Sequence, residues 1–185
     1  MPVNKSTKIA TPITEFNFAS VEVGEIPDKI LLAMQGAAVV WVALGDSESE
    51  LLAAARVRFP SMVQNKNSPA ILQAIQQLQG LFDQPTSTWK TPLDLQGTEF
   101  QKLVWSAIAK IPAGTTMTYQ QLAISIGRKS SVRAVASACG ANPVAIVVPC
   151  HRVLRSDGGL GGYRWGLQRK KALLALEAKP QPTLF

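Results

Sequence analysis

The chain has 185 residues, 46% hydrophobic and 17% charged, enough to bury a core as one domain or two small ones and too balanced for a disordered or fibrous protein. Its longest apolar stretch, Ile30 to Leu44, is interrupted by Gln35 and Gly36 and is too short to span a bilayer, and residues 1–18 lack the apolar core of a secretory signal. The net charge of +7 is uneven: residues 1–92 carry 7 Lys/Arg against 8 Asp/Glu, a net of −1, and residues 93–185 carry 12 against 4, a net of +8. Such asymmetry suggests that the second half meets a polyanion, nucleic acid ahead of membrane, with a solvated basic face as the bland alternative. Two cysteines and one histidine are too few for a disulfide framework or a tetrahedral zinc site, so a reducing compartment, no metal and no cofactor are expected.

In chain order, residues 1–18 show no sustained period and read as a loosely held arm. β-like runs follow at Ala19 to Val23 and, around the Gln35-Gly36 turn, at Ile30 to Met34 and Ala37 to Leu44, where Val39 and Trp41 suit a half-buried pleated surface. Ser47 and Glu50 stand at capping-box spacing before a helix through Leu51, Leu52 and Ala55 that stops before Pro60. Ser68-Pro69, a cap and a first-turn proline, opens a second helix that ends at Gly80, with Ile71, Leu72, Ile75 and Leu78 on one face. Strands followed by helices suggest a small α/β unit without chemistry. The Pro-, Thr- and Ser-rich segment Asp83 to Pro92 is predicted to be a linker, dividing residues 1–92 from residues 93–185.

Past the linker the chain becomes helical. Thr98 and Gln101 form a capping pair, and Phe100, Leu103, Val104, Ala107 and Ile108 make an apolar stripe. After a break at Gly114, Thr118 and Gln121 open a short helix, Tyr119 to Ile126, closed by Gly127. Arg128 and Lys129 supply two cations, and Ser131 a cap, to the next helix, Val132 to Cys139. The pattern is helix-turn-helix. The second of these helices offers Ala134, Ala136, Ser137 and Ala138, with Arg133 as its one long polar side chain. A helix so thin suits either shape-based minor-groove docking with a single inserted arginine or a tight core, and the cations beside it favour DNA. Cys139 reads as structural.

Asn142-Pro143 then turns the chain, and Val144 to Val148 is predicted to be a buried extended run ending at Pro149-Cys150. There the only histidine, His151, adjoins Cys150, and Arg152 follows. A thiol, a titratable ring and a cation at the end of a strand resemble a nucleophile in a site, although for an arbitrary Cys-His pair the commoner case by far is a small buried hydrophobe, here Cys150, beside a surface histidine. The loop from Asp157 to Gly162, Gly161 included, allows close approach of backbone to a ligand. Tyr163, Arg164 and Trp165 follow it, then a basic helix from Leu167 to Glu177. Glu177, one turn from Leu173 and Leu174, is either a partly buried carboxylate in need of a partner or an ordinary exposed acid.

Pro149-Cys150-His151-Arg152-Val153, preceded by Tyr119, Arg133-Ala134-Val135 and Asn142 and followed by Tyr163 and Glu177, resembles the O6-alkylguanine-DNA alkyltransferases, most closely the C-terminal half of bacterial Ada. The resemblance covers most of the chain. It implies an N-terminal α/β domain of ribonuclease H-like topology and a C-terminal winged helix-turn-helix domain that carries the active site. It also implies roles: Cys150 accepts the alkyl group, His151 acts on its proton through a water, and Glu177 orients His151. Tyr119 would contact the target base and its phosphate, and Arg133 would enter the duplex where the flipped nucleotide was, with Ala134, Ser137, Arg128 and Lys129 beside it on the DNA. Asn142 would brace the turn before the cysteine, while Val153, Gly161, Tyr163 and Arg164 would shape the guanine pocket. The implied partner is double-stranded DNA carrying O6-alkylguanine, met by a monomer in the cytoplasm at the nucleoid. The zinc ligands of the animal enzymes and the N-terminal cysteine cluster of Ada have no counterparts in this sequence, and Cys150 separates it from the alkyltransferase-like proteins, which lack the acceptor.

The chemistry suits those residues. A thiolate is a good nucleophile for displacement at carbon, and a neighbouring histidine and arginine are expected to ease deprotonation of Cys150. The resulting thioether resists water, so one turnover per molecule is expected. A DNA-binding regulator without chemistry and a cysteine hydrolase are the competing readings, the latter disfavoured because no oxyanion-hole pattern accompanies Cys150.

Overall fold

The computed structural model describes residues 13–178. Three strands form an antiparallel meander: β1 (Thr14–Val23), β2 (Ile26–Gln35) and β3 (Ala38–Gly45). Each hairpin turn has two residues led by a glycine at positive φ, Gly24 at 66° and Gly36 at 58°, the backbone that lets a tight turn match strand twist. The predicted arm is corrected here. Thr14 to Phe18 belong to β1, because Phe16 is buried and pairs with Ala33 across the sheet; residues 1–12 lie outside the described residues. A short β4 (Val63–Gln64) adds in parallel to β1, giving the order β3-β2-β1-β4. Ile30 to Met34 are all buried, so both faces of β2 are covered, which explains a continuous apolar run in place of alternation.

Helix α1 (Glu48–Arg58) starts on the Ser47 hydroxyl, which accepts from the Glu50 amide. Helix α2 (Pro69–Asp83) runs three residues beyond Gly80, because Phe82 extends its buried face. Ala74, rather than the exposed Leu72, completes that face. The predicted linker is pinned. Pro92 accepts from the Val39 amide at 2.8 Å, the Asp94 amide returns to the Val39 carbonyl at 3.0 Å, and Gln77 Oε1 takes the amides of Lys90 and Thr91. Backbone polar groups in a covered segment need such partners, and these draw the segment along the outer edge of β3.

In the second half, α3 (Glu99–Ile108) and α4 (Tyr119–Ser125) both begin with complete capping boxes, Thr98 with Gln101 and Thr118 with Gln121. Helix α5 (Val132–Gly140) starts at Ser131, whose side chain makes no capping bond, contrary to expectation. The Trp105 indole donates to the Ala138 carbonyl at 2.8 Å and ties α3 to α5. Strands β5 (Met117–Thr118) and β6 (Val153–Leu154) pair in parallel, and α6 (Leu167–Glu177) closes the described chain.

Buried side chains of both halves form one continuous core. Beyond the bonds of Asp94 and Gln96 just past the division, links from deeper in the second half cross to the first. Arg169 of α6 pairs with Asp28 and Asp46, each at 2.5 Å. At the free edge of β3, Val42 donates to Pro143 at 2.9 Å and accepts from Ala145 at 3.0 Å. This edge bond corrects the predicted extended run. Only Val144 is strand-like; the chain then coils back through Ile146, at φ 69°, with the Val148 amide returning to the Val144 carbonyl. Among the described residues no helix is long and apolar enough to cross a membrane.

Candidate active site

The sheet edge delivers Asn142 to a fully buried position behind Cys150. Its Oδ1 accepts from the Val144 amide at 3.0 Å, which sets the orientation of the side-chain amide. Nδ2 then has two protons to donate, one to the Val148 carbonyl at 2.7 Å and one to Cys150 Sγ at 3.2 Å. Asn142 therefore both closes the turn and holds the sulfur. Cys150 does not end a strand: it opens a 3-10 turn, Cys150–Arg152, and the Val153 amide closes that turn on the Cys150 carbonyl.

Behind the cysteine lies a buried ionic group. His151 Nε2 is 2.8 Å from Glu177 Oε1. The Arg152 guanidinium grips both Glu177 oxygens, at 2.8 to 3.1 Å, and donates to the Ile111 carbonyl at 2.6 Å. Burial alone would raise the Glu177 carboxyl, but the hydrogen bonds and charges of His151 and Arg152 bring it down to about 2. Of the two readings of Glu177, the partnered one holds. Burial depresses His151 against the opposing pull of Glu177, so the ring is neutral. An ionised carboxylate can only accept, which puts the proton on Nε2 and leaves Nδ1 as a bare lone pair, without a partner among the described residues.

Cys150 itself is 5% exposed, and burial pushes its thiol up to about 11, with the Asn142 bond and the Lys170 charge opposing. This differs from the expectation that His151 and Arg152 would ease its deprotonation. Arg152 is consumed by Glu177, and His151 carries no charge.

In front of Cys150 is a cavity of about 480 Å³. Tyr119 lines it from the first turn of α4, where the pairing of Met117 with Val153 and Thr118 with Leu154 sets its register against the cysteine turn. Burial and the two nearby thiols raise the Tyr119 phenol to about 12, so it stays protonated. Ser137, Cys139 and Gly140 of α5 form a second wall, and Gly161, Tyr163 and Arg164 a third. Gly161 sits at φ 67°, and a Cβ there would meet the Tyr119 ring at 2.9 Å, so only glycine lets the loop close on that ring.

The structure thus gathers Cys150, Tyr119, Ser137, Gly161, Tyr163 and Arg164 around one cavity, with Asn142, His151 and Glu177 behind it. Val153 leads away from the turn, its carbonyl accepting from Lys170. Arg128, Lys129, Arg133 and Ala134 lie outside the cavity lining and are exposed on the α4–α5 turn and on α5. Two residues escaped sequence reasoning. Cys139, read as structural, is buried but lines the same cavity, and its thiol is raised to about 12 by burial first and Cys150 second. Lys170 is wholly buried. It lay within the basic run Arg169-Lys170-Lys171, but its spacing to Leu173 and Glu177 is that of the helix stripe that packs inward, and this was the available signal.

Comparison with known proteins gives the family. Residues 99–179 match the family described as 6-O-methylguanine DNA methyltransferase, DNA binding domain. The chain is 48% identical over 137 residues to the regulatory protein ada of Salmonella typhimurium, covering 74% of this chain but 39% of that one, so it spans less than half the length of that relative. It is 46% identical over 123 residues to the methylated-DNA–protein-cysteine methyltransferase of Mycolicibacterium paratuberculosis, covering 65% of this chain and 74% of the relative. The crystal structure of Mycobacterium tuberculosis OGT in complex with DNA matches with a TM-score of 0.75 at 33% identity, over 89% of this chain and 92% of that one. With a mixed α/β fold of this kind and that degree of identity, the chain belongs to the methylated-DNA–protein-cysteine methyltransferase family.

Proposed function

We propose that this protein repairs O6-alkylguanine in double-stranded DNA by transferring the alkyl group to Cys150, once per molecule. The observation that carries the reading is the sulfur itself. It borders the cavity, is held by Asn142 at 3.2 Å, and has the His151–Glu177 pair directly behind it.

The step runs as a displacement at carbon. The Sγ proton passes through a water to His151 Nδ1, and the imidazolium so formed is stabilised by the Glu177 carboxylate. The sulfur–carbon bond forms as the carbon–O6 bond breaks, and the electron pair leaves on guanine, which the Tyr119 hydroxyl supports with a hydrogen bond. With the resting thiol near 11, the thiolate is scarce at neutral pH, so removal of the proton by His151 is coupled to the attack on carbon. The product thioether is neutral and inert to water, so the thiol does not return.

On the DNA side, the exposed face of α5 presents Arg133, Ala134 and Ser137, and Ser137 leads into the cavity. We assign this face to the minor groove, with Arg133 filling the gap left by the flipped base and Arg128 and Lys129 on phosphates. In this reading residues 93–185 form a winged helix-turn-helix domain and residues 1–92 a ribonuclease H-like α/β domain. The protein acts as a monomer on the nucleoid, in the cytoplasm. Val153, Tyr163 and Arg164 shape the guanine pocket.

Incubation with DNA carrying O6-methylguanine, followed by intact-mass measurement, is expected to show a single added methyl group on each chain, located on Cys150. An unchanged mass, or more than one methyl removed from DNA per chain, contradicts the proposal. A regulator without chemistry predicts instead that Cys150→Ala leaves every activity intact.

A further inference from the structure

Lys170 is 0% exposed, and no carboxylate lies within ion-pair distance of it among the described residues. Its Nζ donates instead to three backbone carbonyls: Val153 at 2.6 Å, Leu160, and Gly162 at 3.5 Å. Val153 is the first residue after the Cys150–Arg152 turn. Leu160 and Gly162 flank Gly161, the residue that lies against Tyr119, and Nζ itself is 6.0 Å from the centroid of the Tyr119 ring. One ammonium therefore joins the exit of the cysteine turn, the glycine loop and the tyrosine.

The three carbonyls take all three N–H groups, which only the ammonium form carries, so the tether itself keeps the charge in place. With no carboxylate to neutralise it among the described residues, that charge is available to any anion that forms beside it. The groups around Cys150 are Asn142, Tyr119 from α4, Cys139 from α5, Tyr163, the His151–Glu177–Arg152 group and Lys170 from α6, with Arg164 solvent-exposed on the cavity wall. Arg152 is neutralised by Glu177, and Arg155 at the rim of the cavity is paired with Asp157. The Lys170 charge opposes the upward push of burial on both thiols, and the thiols in turn hold Lys170 up against its own burial.

We propose that Lys170 is a positioning residue for the alkyl transfer: its ammonium holds the cysteine turn and the glycine loop around Tyr119, and its positive charge favours the Cys150 thiolate that attacks the alkyl carbon. The proposal rests on Cys150 as the acceptor, but its test does not need DNA. Iodoacetamide, a small neutral electrophile, reacts with the thiolate: sulfur displaces iodide at carbon, and the thiol proton goes to solvent. At any pH below the thiol's own range, the rate therefore reports the thiolate fraction.

Lys170→Met is expected to slow both iodoacetamide modification of Cys150 and methyl transfer from DNA by roughly tenfold or more, the effect of a shift of about one unit in the thiol. Lys170→Arg, which keeps the charge, is expected to restore iodoacetamide reactivity to within a few-fold of wild type. A purely structural tether predicts the opposite sign, because loosening the loop exposes Cys150; unchanged or faster modification of Lys170→Met overturns the proposal. If wild-type protein takes no methyl from DNA while Lys170→Met still slows iodoacetamide, the repair reading fails and the electrostatic role stands. Should Lys170→Met not fold, the pH dependence of iodoacetamide modification of wild-type Cys150 answers: once Lys170 loses its proton, the rate is expected to rise less than tenfold per pH unit, and a strict tenfold rise per unit up to the thiol's own range overturns the coupling.

Discussion

Asn142 concentrates three tasks in one side chain. It satisfies the Val144 amide, turns the chain at the Val148 carbonyl and places a proton on the Cys150 sulfur. Its value lies in having an acceptor and two donors on a rigid plane, which no hydroxyl or carboxylate can copy. Glu177 is similar in that its two oxygens receive His151, Arg152 and the Gly114 amide. Glu177→Gln breaks a buried ion pair and is expected to cost about 3–5 kcal/mol in stability. The acid limb of stability follows from the same group. Both Glu177 and His151 have folded pKa values below their ordinary ones, so the unfolded chain binds their protons more readily. Stability is complete above the ordinary histidine value of 6.5. It declines as pH falls below that value, and declines again from the ordinary carboxyl value of 4.5 toward about 2 as Glu177 is protonated. Urea unfolding midpoints measured from pH 8 to pH 3 check this; a flat profile in wild type, or an unaltered lower limb in Glu177→Gln, contradicts it.

At the level of elements, α5 is a helix whose usefulness comes from what it omits. Val135, Ala138 and Cys139 face the core, which leaves Arg133, Ala134, Ser137 and Gly140 outward, a surface nearly without side chains. Such a face approaches a groove closely and can deliver only one long group to it. Arg133→Ala is expected to lower the rate of alkyl transfer from duplex DNA by roughly tenfold or more, the cost of losing the group that fills an unstacked step. The rate with free O6-alkylguanine base is expected to stay the same; equal losses on both substrates contradict the assignment. This helix was legible in the sequence from its run of small residues, although the Ser131 cap expected at its start does not form, and both capping boxes follow from local rules. The turn that bears the cysteine was not. Val144 to Val148 has the composition of a strand, and its coiling through Ile146 is imposed by the edge of β3, remote in sequence, together with the bonds of the nearby Asn142 side chain, which composition does not reveal. Lys170 was hidden for a related reason: its partners are backbone carbonyls, which leave no mark in a sequence.

For the whole molecule, the division of charge matches a division of labour. The half with a net charge of +8 carries the exposed cations around α5, while the half with a net of −1 supplies Asp28 and Asp46, which receive Arg169 of α6. Asp28 is buried beneath that guanidinium, so the clamp joins the halves through a desolvated pair and resists salt better than contacts to phosphate do. The cysteine turn also depends on the other half, because the sheet ends only where Pro143 and Ala145 bond to Val42.

That last feature has a consequence during synthesis. Strand β3 is made about a hundred residues before Val144, its partner in the parallel bridge. Until then the nascent sheet presents an unpaired, apolar edge at Val42, the kind of template on which other chains add. The segment leading into the cysteine turn is thus also the cover that keeps this sheet from joining its neighbours. A fragment ending at residue 92 is expected to self-associate through that edge, and the full chain is not. Light scattering of the two at equal concentration checks the difference.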